Sequence, residues 1–414
     1  MPYNRETDDR WTFRKVDTKE YTHGYHIYPA MMIPQIARTL IEEYSPKGKF
    51  HTILDPYMGS GTTLVEATIK GIDSIGTDLN PLARMMTKVK TTHYNEKIIK
   101  AQFIEISFQL SFYDASKVVN RNFERISNYT YWYSEDVLLK LSYLHQLIEE
   151  YAADNDFFKL ILAEIVREVS FTRNSEFKRF RMSKEMIANY KPNPFDLFEK
   201  KAKRNIDGLC TYNKVSHRTN VTICDFNSTD GIPHNIASEG TIDMVVTSPP
   251  YGDSRTTVAY GQFSRWANEW FGFDNAKTLD NELMGGRKCK EIKFNSIELA
   301  NTLSEIHALD DKRYWEVISF LNDYSSSIQN VANTVRIGGR VCYVVGDRRV
   351  KGIQIPLDYF TAEMFEQSGF IHINTIVREI PNKRMPSLTS PTNKAGNYVQ
   401  TMSHEYIVIL EKIR

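Results

Sequence analysis

Cysteine is scarce in this chain: four residues in 414, Cys210, Cys224, Cys289 and Cys342, with no CxxC pair and no metal-ligand spacing. A disulfide framework and a bound metal are therefore not expected, and the four read as reduced thiols. Long apolar runs are also missing. Nothing approaches the roughly 20 consecutive apolar residues that cross a bilayer. The opening MPYNRETDDR is acidic and polar, without the apolar core of a signal peptide. Secretion and membrane insertion are thus not expected, and a cytoplasmic location is. The chain lacks a charge of one sign as well, with 52 basic against 51 acidic residues and a net charge of +1. Any polyanion must be met by a local basic face. At 414 residues the chain exceeds one ordinary domain core, so an insertion or a second domain is expected.

Residues 51–67, HTILDPYMGSGTTLVEA, read as strand, glycine-rich turn and helix. Gly59 and Gly61 let a ligand approach the backbone closely, and the helix start that follows offers unpaired N–H groups. Two nucleotide loops are weakened by what is absent. A phosphate-binding loop needs a lysine after its last glycine, but Thr62 and Thr63 follow Gly61; a dinucleotide fingerprint needs a small residue where Leu64 stands. A second strand, Ser74 to Asp78, ends in an acid about twenty residues after the glycines, where a carboxylate takes a ribose hydroxyl pair. The pair suits an adenosine-bearing cofactor without a pyrophosphate.

Further on, the β-branched run Ile242–Val246 stops at Thr247-Ser248-Pro249-Pro250-Tyr251-Gly252. Two prolines fix φ twice and remove two donors, giving a rigid loop rich in acceptors. It carries no strong acid, base or nucleophile. A substrate amino group suits it: Ser248 Oγ and the Pro249 carbonyl accept its two N–H donors, and Tyr251 stacks on the attached ring. Held so, the nitrogen lone pair leaves ring conjugation and becomes nucleophilic.

Together, Asp55-Pro56-Tyr57-Met58-Gly59-Ser60-Gly61-Thr62 and Ser248-Pro249-Pro250-Tyr251 resemble the cofactor and catalytic loops of the DNA amino-methyltransferases. In that family the serine form of the second loop accompanies methylation of cytosine N4, and Asp or Asn forms accompany adenine N6. The resemblance covers roughly residues 20–92 and 218–414. It implies S-adenosyl-L-methionine as cofactor, held by Asp55, Pro56, Gly59, Ser60, Gly61, Thr62 and Thr63, by Asp78 and Asn80, by Tyr28 and Pro29 ahead of the loop, and by Asp225 after the strand Asn220–Cys224. It implies Ser248, Pro249, Pro250 and Tyr251 as the catalytic set, double-stranded DNA as partner, and a restriction–modification setting that leaves a cognate endonuclease open. It also implies an α/β fold: a doubly wound, mostly parallel sheet of seven strands, the last antiparallel.

On this reading residues 1–95 carry the cofactor loop, 96–217 form a mainly helical insertion, and 218–414 carry the catalytic loop. Within the insertion, basic side chains interleave with Phe from 167 to 184, and Arg173, Lys178, Arg179 and Arg181 are candidate DNA contacts, joined by Arg255, Lys383 and Arg384 in later loops. Met284 to Lys290 reads as a flexible basic loop. Tyr260 and Phe263 follow the catalytic loop, with core packing the expected role of each. A helix over Tyr314–Val335 is expected to end at Gly338-Gly339, and Gly346-Asp347 reads as a plain strand end. A cytosine carbon-5 enzyme is disfavoured because no cysteine follows a proline. Adenine N6 methylation, an RNA or protein amide methyltransferase, and a non-catalytic DNA-binding relative remain as alternatives.

Overall fold

The computed structural model describes residues 3–48, 52–252, 259–380 and 402–414, with the backbone of 388–389 and 399–400. Its strands in chain order are β1 (Arg5–Thr7), β2 (Thr52–Asp55), β3 (Asp73–Thr77), β4 (Val221–Cys224), β5 (Ile242–Thr247), β6 (Val335–Gly346), a hairpin of β7 (Arg348–Val350) and β8 (Ile353–Ile355), β9 (Phe370–Glu379), a short pair β10 (Leu388–Thr389) and β11 (Val399–Gln400), and β12 (His404–Lys412). Eight of them form the central sheet, in the order β1-β9-β12-β6-β5-β2-β3-β4. Every neighbouring pair is parallel except the two made by β12.

The sheet therefore has eight strands where seven were expected. The extra one is β1, which adds to the edge beside β9, with Arg5 opposite Thr375. Its sequence, Arg-Glu-Thr, has no apolar alternation and reads as polar chain. An edge strand needs only backbone pairing, and charged residues there guard against further pairing. Arg5 is also anchored, its guanidinium 2.8 Å from Asp358.

Period-two alternation sets the two faces of the sheet. Val245, Val341, Tyr343, Val345, Val408 and Leu410 share one core with α13 (Asp311–Thr334) and α14 (Leu357–Gln367). Their neighbours Met244, Val246, Cys342, Val344, Ile407 and Ile409 share another with α1 (Pro34–Tyr44) and with Ala67 of α2 (Thr62–Ile69). Each side chain so buried is worth about 1.5–3 kcal/mol. Helix α3 (Pro81–Thr91) follows β3.

Between α3 and β4 lie α4 (Glu96–Leu110), α5 (Tyr129–Trp132), α6 (Glu135–Ala152), α7 (Phe157–Glu168), α8 (Lys184–Asn189) and α9 (Pro194–Val215). After β5 come α10 (Tyr260–Trp270), α11 (Leu279–Glu282) and α12 (Ala300–Leu309). The third core joins these parts: Met86 and Val89 of α3, Leu144 of α6, Ile161 of α7, Leu209 of α9, and Trp266 and Trp270 of α10 are buried in one cluster. The helix that follows the catalytic segment is thus packed into the insertion.

Gly338-Gly339 lies inside β6 instead of ending a helix. The helix stops at Thr334 and extended chain begins at once, with Ile242 opposite Val335 and Met244 opposite Arg340. Three extra residues on β6 are looped out there, and Gly338, at φ +74°, takes the left-handed turn. Chain order runs β2, β3, β4 outward, then returns to place β5 on the other side of β2. The crevice at the carboxyl ends of β2 and β5 is the topological switch point, where open α/β sheets bind ligands.

Candidate active site

Both loops singled out in the sequence open into one cleft at this switch point. It encloses about 990 Å³ with its open mouth included, and its wall includes Tyr28, Pro29, Asp55, Pro56, Gly59, Ser60, Thr62, Asp78, Asn80, Ser248, Pro250 and Tyr260. Gly61 and Thr63 act from behind the wall. Gly61 starts α2 at φ +76°, and a Cβ there would lie 2.6 Å from Thr87 Oγ1. Only glycine allows α3 to pack this closely on the loop. Thr63 donates to the Val246 carbonyl (3.0 Å), and Thr247 donates to Asp55 (2.6 Å), so the glycine loop and strand β5 are tied together.

On the β2–β3 side the loop is shaped by Asp78. Its carboxylate accepts the backbone N–H of Gly59 (3.1 Å) and of Asn80 (2.8 Å). Asn80 caps α3 through Leu82 N and donates from Nδ2 to Tyr28 Oη (2.9 Å). Burial pushes the Asp78 carboxyl up to about 6, and does the same to Asp55. Among the described residues neither forms an ion pair, although the Arg84 guanidinium, bonded to the Asp78 carbonyl (2.8 Å), acts on Asp78 at a distance. Behind the loop, Lys90 Nζ donates to the Ser60 carbonyl (3.1 Å), and burial pulls its ammonium down to about 7.

These residues fit S-adenosyl-L-methionine. An acid at the end of β3 suits a ribose hydroxyl pair, the free helix start of α2 suits a carboxylate, and the two buried carboxylates suit a cationic sulfonium and ammonium. Asp225 stands apart: it is exposed at the end of β4 and lines a neighbouring cleft with Leu79, Pro81 and Arg84. Phe226, Asn227 and Ser228, the residues after it, line the main cleft instead.

On the β5 side, Ser248 Oγ is 3.1 Å from the Val344 carbonyl and 3.0 Å from Tyr251 Oη. The Tyr251 phenol reaches Glu405 Oε1 at 3.0 Å, and burial with the adjacent Glu405 pushes it well above its ordinary value. Its ring lies against Gly346, where a Cβ would come within 2.5 Å of Cδ2. Gly346 is thus part of the site's support and not merely a strand end. Glu405, at the start of β12, pairs with Arg378 of β9. Sequence reading missed these two because both sit in apolar strand patterns with no motif around them.

Met284, read as part of a flexible loop, lines the cleft with Leu283, and the segment is held to α13 by Gly285 N on Asp323 (2.8 Å) and Cys289 N on Ser319 Oγ (2.8 Å). Tyr260 lines the cleft, and Phe263 is buried in the insertion core. The candidate DNA contacts cluster on a turn closed by the Thr172–Arg181 bridge. Arg173 is exposed and Lys178 half-exposed. Arg179 lies over the Trp266 ring (4.8 Å), and Arg181 over Tyr131 (4.0 Å) while donating to its carbonyl (3.0 Å). Arg255, Lys383 and Arg384 lie outside the described residues.

The chain is similar to several known proteins. A family described as DNA methylase matches residues 2–88. The type II methyltransferase M.MvaI of Kocuria varians is 38% identical over 96% of this chain and 93% of its own length. M.BsoBI of Geobacillus stearothermophilus is 23% identical over 94% and 85%. A solved S-adenosylmethionine-dependent methyltransferase of Methanosarcina mazei aligns over 94% of this chain and 99% of that one, at 9% identity and a TM-score of 0.32. No helix is long and apolar enough to cross a membrane, among the described residues. With two motif loops in one cleft and a relative this similar along almost the whole chain, the protein belongs to the type II DNA methyltransferases, enzymes of the restriction–modification kind.

Proposed function

We propose that this protein transfers a methyl group from S-adenosyl-L-methionine to the N4 amino group of cytosine in duplex DNA. The observation that carries the reading is Ser248, followed by two prolines, presenting its hydroxyl in the same cleft as the glycine loop. The bound cofactor supplies an electrophilic methyl group. Asp55, Asp78, Asn80, Tyr28, Pro29 and the loop Pro56–Thr63 would hold it, with Phe226 and Asn227 in the same cleft wall, while Asp225 lines the neighbouring cleft.

The chain's own chemistry is positional. Ser248 Oγ and the Pro249 carbonyl accept the two N–H groups of the amine, which turns its lone pair out of conjugation. Pro250 stiffens the loop, and Tyr251 faces the base. Well-oriented reactants gain roughly 7–11 kcal/mol from such placement. The amine of a paired cytosine is buried in the duplex, so the base leaves the stack at a cost of about a few kcal/mol. Arg173, Lys178, Arg179 and Arg181 are the proposed phosphate contacts, and Arg255, Lys383 and Arg384 are further candidates from the sequence alone. A cognate restriction endonuclease is the partner against which such methylation protects.

The test is direct. Purified protein is incubated with S-adenosylmethionine and unmethylated mixed-sequence duplex DNA, which is digested and analysed by mass spectrometry. N4-methylcytosine is expected. N6-methyladenine would show that Ser248 does not select the base, and no methylated base would overturn the reading.

A further inference from the structure

The catalytic loop is fastened by groups on two strands outside it, and the direction of those hydrogen bonds decides what Ser248 offers a substrate. Arg378 on β9 is 2% exposed, donates from Nε to the Trp11 carbonyl (2.8 Å), and pairs with one oxygen of Glu405. The other oxygen of Glu405 meets the Tyr251 phenol at 3.0 Å, and the phenol in turn meets Ser248 Oγ at 3.0 Å. An ionised carboxylate accepts hydrogen bonds and never donates them. The single phenol proton therefore points at Glu405. Among the described residues Ser248 Oγ has two hydrogen-bonding neighbours, the Tyr251 oxygen and the Val344 carbonyl (3.1 Å), and neither has a proton to give it. Its own proton is used on them, and a lone pair stays open toward the cleft.

We infer that Arg378 and Glu405 are positioning residues for methyl transfer: through the Tyr251 phenol they set the direction of the chain so that Ser248 presents a lone pair, not a proton, to the target amine. The inference rests on the reading of Ser248 as acceptor of the amino group. No covalent bond changes within the chain Arg378–Glu405–Tyr251–Ser248. A serine hydroxyl without this constraint rotates, and each orientation that points its proton at the amine N–H is unproductive. The same logic holds for an adenine amine, because both amines present N–H donors.

Reversing the chain tests it. In Glu405→Gln the side-chain amide can donate to the phenol oxygen, which turns the phenol proton onto Ser248. Single-turnover methyl transfer is measured with radiolabelled S-adenosylmethionine and unmethylated mixed-sequence duplex DNA. E405Q is expected to slow transfer about 10- to 100-fold, with dissociation constants for cofactor and DNA unchanged. Adding Tyr251→Phe deletes the misdirected proton, so the double variant should transfer faster than E405Q alone, to within about fivefold of Y251F. Both 405 variants carry the same disturbance of the ion pair, so a purely structural role would leave the double variant as slow or slower. A double variant no faster than E405Q, or an E405Q as fast as wild type, overturns the inference. A wild-type chain that methylates no base defeats the reading beneath it as well.

Discussion

Buried acids on helix α2 and at the cleft before it are treated in opposite ways. On the helix, Glu66 is fully buried yet compensated: Arg38 reaches both its oxygens at 2.9 Å, and His23 meets it at 2.9 Å. Burial raises its carboxyl, but His23 and Arg38 outweigh that and leave it below the ordinary carboxylate value. In front, Asp55 and Asp78 receive neutral donors only, and burial leaves them near 6.

The contrast breaks most visibly at the loop itself. Gly61→Val is expected to abolish cofactor binding in calorimetry, because its φ of +76° and the nearby Thr87 leave no room for a side chain. Tyr251→Ala is expected to keep cofactor affinity while losing most methyl transfer; lost affinity in Tyr251→Ala, or unchanged affinity in Gly61→Val, would undo the division of labour. Next in size, Glu66→Ala removes the buried acid that His23 and Arg38 share, while Arg38 keeps Glu20 (2.8 Å), and should cost about 1.5–3 kcal/mol in urea unfolding. Asp55→Asn should do the reverse, stabilising the ligand-free protein at pH 7.5 by about 1 kcal/mol while weakening cofactor binding. If both substitutions destabilised, the two acids would not differ in kind.

The same contrast has a pH signature. The folded chain holds Asp55 and Asp78 protonated up to about pH 6, the unfolded chain only to about 4. Between those values the folded state binds more protons, so this part of the ligand-free stability falls as pH rises from about 4 to 6. A cationic cofactor prefers the ionised pair. Its stabilising shift in Tm should therefore be larger at pH 7.5 than at pH 5, and an equal shift would remove the carboxylates from its binding. The smallest effect is expected from Arg173→Ala with Lys178→Ala: weaker DNA binding and a log–log salt slope flatter by about 0.9 for each phosphate no longer neutralised.

Local pattern made much of this legible. The glycine loop, the acid after β3 and the proline-closed strand are contiguous motifs whose chemistry follows from a few neighbouring residues. The parallel strands announced themselves as short β-branched runs. What stayed hidden depended on distant pairing. Arg5–Thr7 becomes a strand only because β9 ends beside it, and nothing in Arg-Glu-Thr itself signals that. Glu405 and Arg378 acquire meaning only when β12, lying beside β9, brings Glu405 between Arg378 and Tyr251. The basic stretch from 167 to 184 is a middle case: its cations were evident, but not that Arg179 and Arg181 lie over aromatic rings.

Strand β12 runs against all its neighbours and is wedged between β9 and β6. Its first residues therefore arrive at the rim that the other strands reach with their last. During synthesis β12 leaves the ribosome after every other strand of the sheet, and it must insert at the middle of a partly built sheet, not at its edge. A nascent chain that has already made both motif loops still lacks Glu405 and the partner strand of β6. Glu405, and with it the support of the Tyr251 phenol, thus joins this rim only after β6 and the Ser248 loop have been made.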